Sequence, residues 1–437
     1  MKASTRRSTI FLTAAALLAA FAGATAPATA TADPSTATPD SATAAPTRDA
    51  PARDADGELK FGYVLPETGQ LAFLGPPQIE SVKFAIQTIN NAGGVLGRPV
   101  PPVVSGDEAG QEAVAAQSAD RVLASGVDAI IGAAASGMSL AFIDRVTGAG
   151  VVQCSGSNTA PTFTDYDDGG FYFRTAPSDA LQGPVLAKTV LEDGHDRVAL
   201  LARADDYGRG LLESTRKALE AGGATVPVAE TYDPKATNFD QAVQRVRNAG
   251  PDAVVVISFE EGAQILQGLI EAGLGPDRVG VYGADGLRSE ELPSLVAPRD
   301  PARLAGMKGT APASAANEEY VKQLKQFAPQ LKELQFAPQV FDCVTTIALA
   351  AEKAGTDDPG VFAKEIIGIT RDGEKCNTFA VCKALIQSGR DIDYDGVSGP
   401  LDFTDAGEPG QATIEVYTYD DKGQLRTVRT EVSSSRQ

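Results

Sequence analysis

Asp252-Ala253-Val254-Val255-Val256-Ile257-Ser258 is an unbroken apolar run closed by a polar residue; the helical pattern Glu261 to Ala272 follows it, and then a second run, Val279-Gly280-Val281-Tyr282-Gly283. A strand buried on both faces reads this way, and such strands belong to parallel sheets covered by helices. Upstream the same alternation continues, with Arg197 to Ala202 as strand and Gly210 to Leu219 as helix. Further out, Leu59 to Leu65 is strand-like, Ile79, Val82, Ile86 and Ile89 mark one helix face ended by Gly93-Gly94, and Val127 to Gly132 and Val151 to Cys154 are buried-strand runs. The expected class is α/β, doubly wound, with mainly parallel sheets and helices on both faces.

A weak repeat divides the chain. Gly126-Val127-Asp128-Ala129-Ile130-Ile131 has a counterpart in Gly250-Pro251-Asp252-Ala253-Val254-Val255, each after a helix and before a loop. Either two similar lobes face one another, or two βαβ units merely look alike. In open α/β sheets, ligands sit beyond the carboxyl ends of strands, so two facing lobes would form a cleft there.

The 437 residues carry 38 Lys and Arg against 57 Asp and Glu, a net charge of −19. Residues 1–57 hold five of each sign, so the excess lies in the body from Glu58. A body this acidic repels phosphate backbones and anionic lipid surfaces, which argues against nucleic-acid and membrane-surface partners. One His, no Trp and four Cys without a CxxC pair leave no zinc pattern and imply no cofactor or metal. Residues 1–32 read as a signal peptide: Lys2, Arg6 and Arg7, then an apolar run from Ile10 to Phe21, then Ala28-Thr29-Ala30 or Ala30-Thr31-Ala32 for cleavage. Arg6-Arg7 leaves the twin-arginine route open beside the general one, although Thr9 stands where that signal prefers an apolar residue. No Cys precedes Cys154, so this segment offers no thiol for a lipid anchor. Residues 33–57 are Ala, Thr, Pro, Ser and Asp, a composition that buries too little apolar area to order itself. The expected location is outside the cytoplasm, periplasmic or extracellular.

Two loops at neighbouring strand ends carry hydroxyls: Ala133-Ala134-Ala135-Ser136-Gly137 and Ser155-Gly156-Ser157-Asn158-Thr159-Ala160-Pro161. Helix N-termini with hydroxyls hold a carboxylate or phosphate without Lys or Arg, but Ser and Thr also cap helices with no ligand at all. From the other half come Ala202 to Gly210, read as a loop with Asp205-Asp206-Tyr207-Gly208, and Gly283-Ala284-Asp285-Gly286. Asp285 is either a turn former or a counter-ion for an ammonium.

Gly62-Tyr63-Val64-Leu65-Pro66, Gly69 to Gly75, Ile89 to Arg98, the 155–161 loop, Phe173-Arg174-Thr175-Ala176-Pro177-Ser178-Asp179, Asp206-Tyr207-Gly208-Arg209-Gly210 and Gly399-Pro400-Leu401-Asp402-Phe403 together resemble one family. It is the leucine/isoleucine/valine-binding branch of type I substrate-binding proteins of ABC importers, and the resemblance spans about residues 59–420. It implies two lobes joined by three crossing segments, residues 58–177 and 310–390 in the first and 178–309 and 391–437 in the second. It implies a monomer that traps a small-molecule ligand, an amino acid, and meets importer permease subunits. Carried over by position, Ser136, Asn158 and Thr159 hold the α-carboxylate and help hold the ammonium, Asp285 pairs with the ammonium, and Tyr207 and Phe259 close over the ligand. Leu74 stands where the family has a large aromatic contact, which puts a preference for branched aliphatic side chains in doubt. Arg174 reads as a structural ion-pair residue.

A zwitterion asks for that kind of set: neutral donors for its carboxylate and one carboxylate for its ammonium, so that buried charges cancel. Among the cysteines, Cys376 and Cys382 enclose five residues and are expected to pair, contributing about 2 kcal/mol on the loop-entropy view. Cys154 and Cys343 both fall in the first lobe on the resemblance, either bridged or as two buried thiols. No G-x-S-x-G, P-loop or G-x-G-x-x-G after the first strand supports an enzyme, and His195 lies in a polar turn. A module reporting a small carboxylate or amide to a receptor, or less favourably a secreted hydrolase using paired carboxylates, remains as an alternative function.

Overall fold

In a computed structural model, residues 55–313 and 317–434 are described; the signal segment 1–32 and most of the 33–57 tether lie outside them. At the described end of the tether, Gly57 N already donates to Asp357 Oδ2 at 2.8 Å.

Lobe 1 opens with β1 (Phe61–Val64), α1 (Gly75–Asn91), α2 (Glu112–Ala124), β2 (Ala129–Gly132), α3 (Ser136–Leu140), α4 (Ile143–Gly148), β3 (Val152–Ser155) and β4 (Tyr172–Arg174). Lobe 2 follows with α5 (Asp179–Glu192), β5 (Arg197–Arg203), α6 (Asp206–Ala221), β6 (Thr225–Tyr232), α7 (Asp240–Ala249), β7 (Ala253–Ile257), α8 (Gly262–Glu271), β8 (Gly280–Gly283), α9 (Leu292–Val296) and β9 (Lys308–Pro312). The chain returns to lobe 1 for α10 (Glu318–Phe327), α11 (Ala337–Ala354), α12 (Pro359–Phe362), β10 (Glu374–Cys376), α13 (Phe379–Gln387), β11 (Ile392–Gly396) and β12 (Gly399–Pro400), then ends in lobe 2 with β13 (Gln411–Tyr419) and β14 (Leu425–Ser434).

The lobe 1 sheet is parallel in the order β1-β2-β3-β4, and residues 104 and 107 bridge the free edge of β1, also in parallel. Lobe 2 has the order β14-β13-β9-β8-β7-β5-β6, parallel from β9 to β6, with β13 and β14 antiparallel at one end. Chain direction therefore switches beside β1 and β2 in lobe 1 and between β5 and β7 in lobe 2, and the loops beyond those strand ends are where a ligand cleft forms. The repeat is real at this level. Asp128 Oδ2 accepts from Lys60 N at 2.8 Å just before β1, and Asp252 Oδ1 accepts from Arg197 N at 3.0 Å at the start of β5. Each Asp fixes the start of the neighbouring strand.

Two expected boundaries move. Thr310 to Pro312 pairs with β13 and so belongs to lobe 2, although 310 was expected to begin the second stretch of lobe 1. Residues 391–403 belong to lobe 1 rather than lobe 2: Ile392, Tyr394, Leu401 and Phe403 are buried in its core. Asp342 on α11 holds this segment, accepting from Tyr394 OH at 2.7 Å, Val397 N at 2.9 Å and Ser398 N at 2.8 Å. The segment 202–210 also departs from its loop reading. Asp205 caps α6 by accepting from Gly208 N at 2.9 Å, so Asp206 to Gly210 is the first turn of the helix.

Both cysteine pairs are bridged, Cys154 to Cys343 with Cα atoms 5.8 Å apart and Cys376 to Cys382 at 5.4 Å. The first bridge ties the end of β3 to α11. A Cβ on Gly156 would fall 2.6 Å from Val340 N, so only glycine lets the loop after β3 lie this close to α11.

Candidate functional site

A small cavity lies where the strand ends of the two lobes meet. Lobe 1 contributes Leu71, Leu74, Ala134, Ala135, Ser136, Ser157, Thr159 and Phe336; lobe 2 contributes Tyr207, Phe259, Asp285 and Gly286. Of the residues expected from the sequence, Leu74, Ser136, Thr159, Tyr207, Phe259 and Asp285 are brought together here. Asn158 is not among the lining residues. The cavity measures about 20 Å3, room for one water.

The lobe 1 wall is a loop pinned from both sides. Behind it, Glu108 is fully buried and accepts from Ala134 N at 2.6 Å and Ala135 N at 3.2 Å; burial pushes its carboxyl up to about 8. On the other side Asn158 Nδ2 donates to Ala133 O at 3.0 Å and Ala134 O at 2.9 Å, while its Oδ1 accepts from Tyr172 OH at 2.9 Å. Asn158 N donates to Ser155 Oγ at 3.0 Å and its carbonyl accepts from Arg174 at 3.2 Å. Asn158 is thus a clamp on the loop through its Nδ2, and its other polar groups are spent on Tyr172, Ser155 and Arg174. Ser136 Oγ accepts from Ala160 N at 3.3 Å, which leaves its proton to donate elsewhere. Arg174 is the ion-pair residue expected: it is 1% exposed, bonds Glu408 with its Nε at 2.8 Å and braces the Ala160 carbonyl at 2.8 Å.

The lobe 2 wall carries the charge. Asp285 Oδ1 accepts from Tyr207 OH at 2.8 Å and from Gln182 Nε2 at 2.8 Å, and Tyr207 stacks on Phe259 with centroids 5.3 Å apart. Close by, Asp179 at the first turn of α5 is fully buried; its Oδ2 accepts from Thr159 Oγ1 at 3.0 Å and its Oδ1 has no partner. Burial raises both carboxyls, and for Asp179 the neighbouring Asp285 charge adds to it. Neither Lys nor Arg lines the cavity. Two buried acids beside a cavity without a basic residue are a place for a cationic group.

The sequence profile of the family described as "Periplasmic binding protein" matches residues 58–424. The chain belongs to the periplasmic binding protein family. Among its curated relatives is the Leu/Ile/Val-binding protein homolog 3 of Brucella melitensis, 24% identical over 85% of this chain and 94% of the relative. Two solved structures share the fold. The branched-chain amino acid transporter substrate binding protein of Streptococcus pneumoniae, in complex with isoleucine, superimposes with a TM-score of 0.70 at 23% identity, covering 86% of this chain and 99% of that one. A solute binding protein of an ABC transporter from R. palustris, in complex with benzoate, gives 0.69 at 17% identity, covering 87% and 98%.

Within this member of the family, sequence reasoning missed Asp179, Leu71 and Phe336, and reached Ser157 only as part of the 155–161 loop. Asp179 follows Ser178, whose Oγ accepts from Ala180 N at 3.3 Å, and an acid one residue after an N-cap reads as ordinary helix stabilisation. Phe336 arrives from a chain segment remote from the other lining residues. It precedes α11 with φ of 63°, a left-handed conformation uncommon for an aromatic residue and held here by the packing around the cleft.

Proposed function

We propose that the protein captures an amino acid with an apolar side chain by closing its lobes over it, and hands it to an ABC-type importer. One observation carries this reading: Asp285 sits buried in the wall of a cavity whose other polar groups are neutral, and Asp179 is buried behind the lining residue Thr159. An ammonium would satisfy both acids, Ser136 would donate to the carboxylate, and Leu71, Leu74, Phe259 and Phe336 would cover an apolar side chain. Delivery to permease subunits is the role that family membership supports, and the signal-like residues 1–32 support export. An aromatic acid such as the benzoate of the R. palustris protein brings no cation, and would leave both acids buried without a counter-charge.

A thermal-shift panel separates these ligands. Leucine, isoleucine, valine and alanine are compared with N-acetyl-leucine and benzoate, a ligand at 100 times its Kd adding about 2.7 kcal/mol. The amino acids should stabilise the protein and N-acetyl-leucine should not. Equal shifts from leucine and N-acetyl-leucine, or a larger one from benzoate, would overturn the ammonium reading.

A further inference from the structure

Arg203, the last residue of β5, lines no part of the cavity, yet it touches what does. Its side chain is 7% exposed, and its guanidinium carbon lies 3.5 Å from the centroid of the Phe259 ring. A cation that close occupies one face of the ring and leaves the other to Tyr207, which stacks there at 14° between planes. The charge is balanced within lobe 2: Arg203 donates to Glu261 Oε1 at 2.9 Å and to Asp205, and Glu261 Oε1 in turn accepts from Tyr232 OH at 3.0 Å. The remaining nitrogen points across the cleft. Arg203 meets Gln70 Oε1 of lobe 1 at 3.4 Å, and Gln70 Nε2 donates to Pro234 O of lobe 2 at 3.1 Å.

Gln70 is therefore a lobe 1 side chain seated on two lobe 2 segments, and one of them is the guanidinium that backs the aromatic wall. Its two hydrogen bonds cross between the lobes, so they exist only while the lobes are together. We propose that Arg203 is a positioning residue that links the aromatic wall to lobe closure, acting through Phe259 on the ligand side and through Gln70 on lobe 1, and so sets how long the closed complex lives. This rests on the reading of the cleft as an amino-acid site. A ligand side chain packed on Phe259 holds the ring against Arg203, and an Arg203 so held keeps its donor aimed at Gln70. Lysine would keep the charge, but it has neither the planar group that stacks on a ring nor a second donor in fixed geometry.

Stopped-flow tyrosine fluorescence tests this on the mature chain, using whichever of leucine, isoleucine, valine and alanine gives the largest thermal shift. Gln70→Ala, which removes both cross-lobe hydrogen bonds, should raise the dissociation rate at least about three- to tenfold, the span of one lost hydrogen bond, and leave the association rate within about twofold. Arg203→Lys should do the same, with a larger effect for leucine than for alanine. The double variant should dissociate more slowly than the product of the two single effects predicts, because the Arg203–Gln70 contact is common to both changes while the Gln70–Pro234 bond is lost only with Gln70. Gln70 is only half-buried, so its variant reports even if Arg203→Lys folds poorly. Dissociation rates unchanged in Gln70→Ala, changes confined to association, or additive effects in the double variant would overturn the proposal. If the parent binds none of the four amino acids, the cleft reading fails first and the proposal falls with it.

Discussion

The two lobes face the same cavity with opposite kinds of chemistry. In lobe 1 the loop before Ser136 has its amides held by Glu108 and its carbonyls held by Asn158, so its geometry is complete within the lobe. In lobe 2, Asp179 Oδ1 and Gln182 Oε1 are buried without partners, and Asp285 depends on a tyrosine and an amide rather than on a cation. One wall is preorganised; the other is left with two buried acids and no basic side chain lining the cavity beside them. Substitutions in lobe 1 should therefore act first on stability, and substitutions in lobe 2 on affinity.

The largest expected effect lies behind the lobe 1 loop. Glu108 has its folded pKa near 8 against an ordinary 4.5, so the native state keeps a proton that the unfolded chain gives up. Its contribution is full below 4.5, declines as pH rises toward 8 and is lost above that, on the order of 5 kcal/mol at most. Urea unfolding of the parent and Glu108→Gln at pH 5, 6.5, 8 and 9 should show this decline in the parent beyond that of the variant; parallel curves would remove Glu108 as the cause. Next comes Asp285→Asn, expected to lower amino-acid affinity by about 2 to 4 kcal/mol with the fold intact. Titration calorimetry decides it, and undiminished binding would make Asp285 a turn residue.

Asn158→Ala takes one of two donors from each of the Ala133 and Ala134 carbonyls, which keep Ser155 Oγ and Ser157 Oγ, and leaves the buried Tyr172 hydroxyl without its acceptor; it should cost about 1 to 3 kcal/mol of stability in urea. If it weakened binding with no loss of stability, Asn158 would be a ligand contact and the contrast between the lobes would blur. The smallest effect sets the two properties against each other. A Cβ on Gly210 of α6 would lie 2.5 Å from Pro161 Cδ across the cleft. Gly210→Ala should gain about 0.5 to 1 kcal/mol of helix stability while obstructing closure. A higher melting temperature with weaker ligand binding is the expected pair of results, and tighter binding would mean that the lobes close by another path.

Much of this was legible because buried parallel strands write themselves as apolar runs. Arg197 to Ala202 and Asp252 to Ser258 lie almost on β5 and β7. The strand β6 escaped notice because Thr225-Val226-Pro227-Val228-Ala229-Glu230 is an edge strand, half exposed and interrupted by proline. The hairpin β13–β14 mixes charged and apolar residues for the same reason, with one edge free. At the cleft, residues directly after strand ends could be found by position along the chain. Asp179 could not, because its local pattern is that of a helix start, and Phe336 could not, because nothing near it in sequence points at the cavity.

The bridge from Cys154 to Cys343 spans 189 residues, and all of α5 to β9 lies inside that span. Lobe 1 is begun first and finished late. As the ribosome delivers the chain at roughly 5 to 20 residues per second, the sequence separation of 189 between the cysteines takes on the order of 10 to 40 s. During that interval β1 to β4 wait without α11, the helix that covers Ala129, Ile131 and Val152, while lobe 2 assembles β5 to β9 from consecutive sequence. The half-built sheet of the first lobe is the stretch of this protein that a chaperone would have most reason to shield.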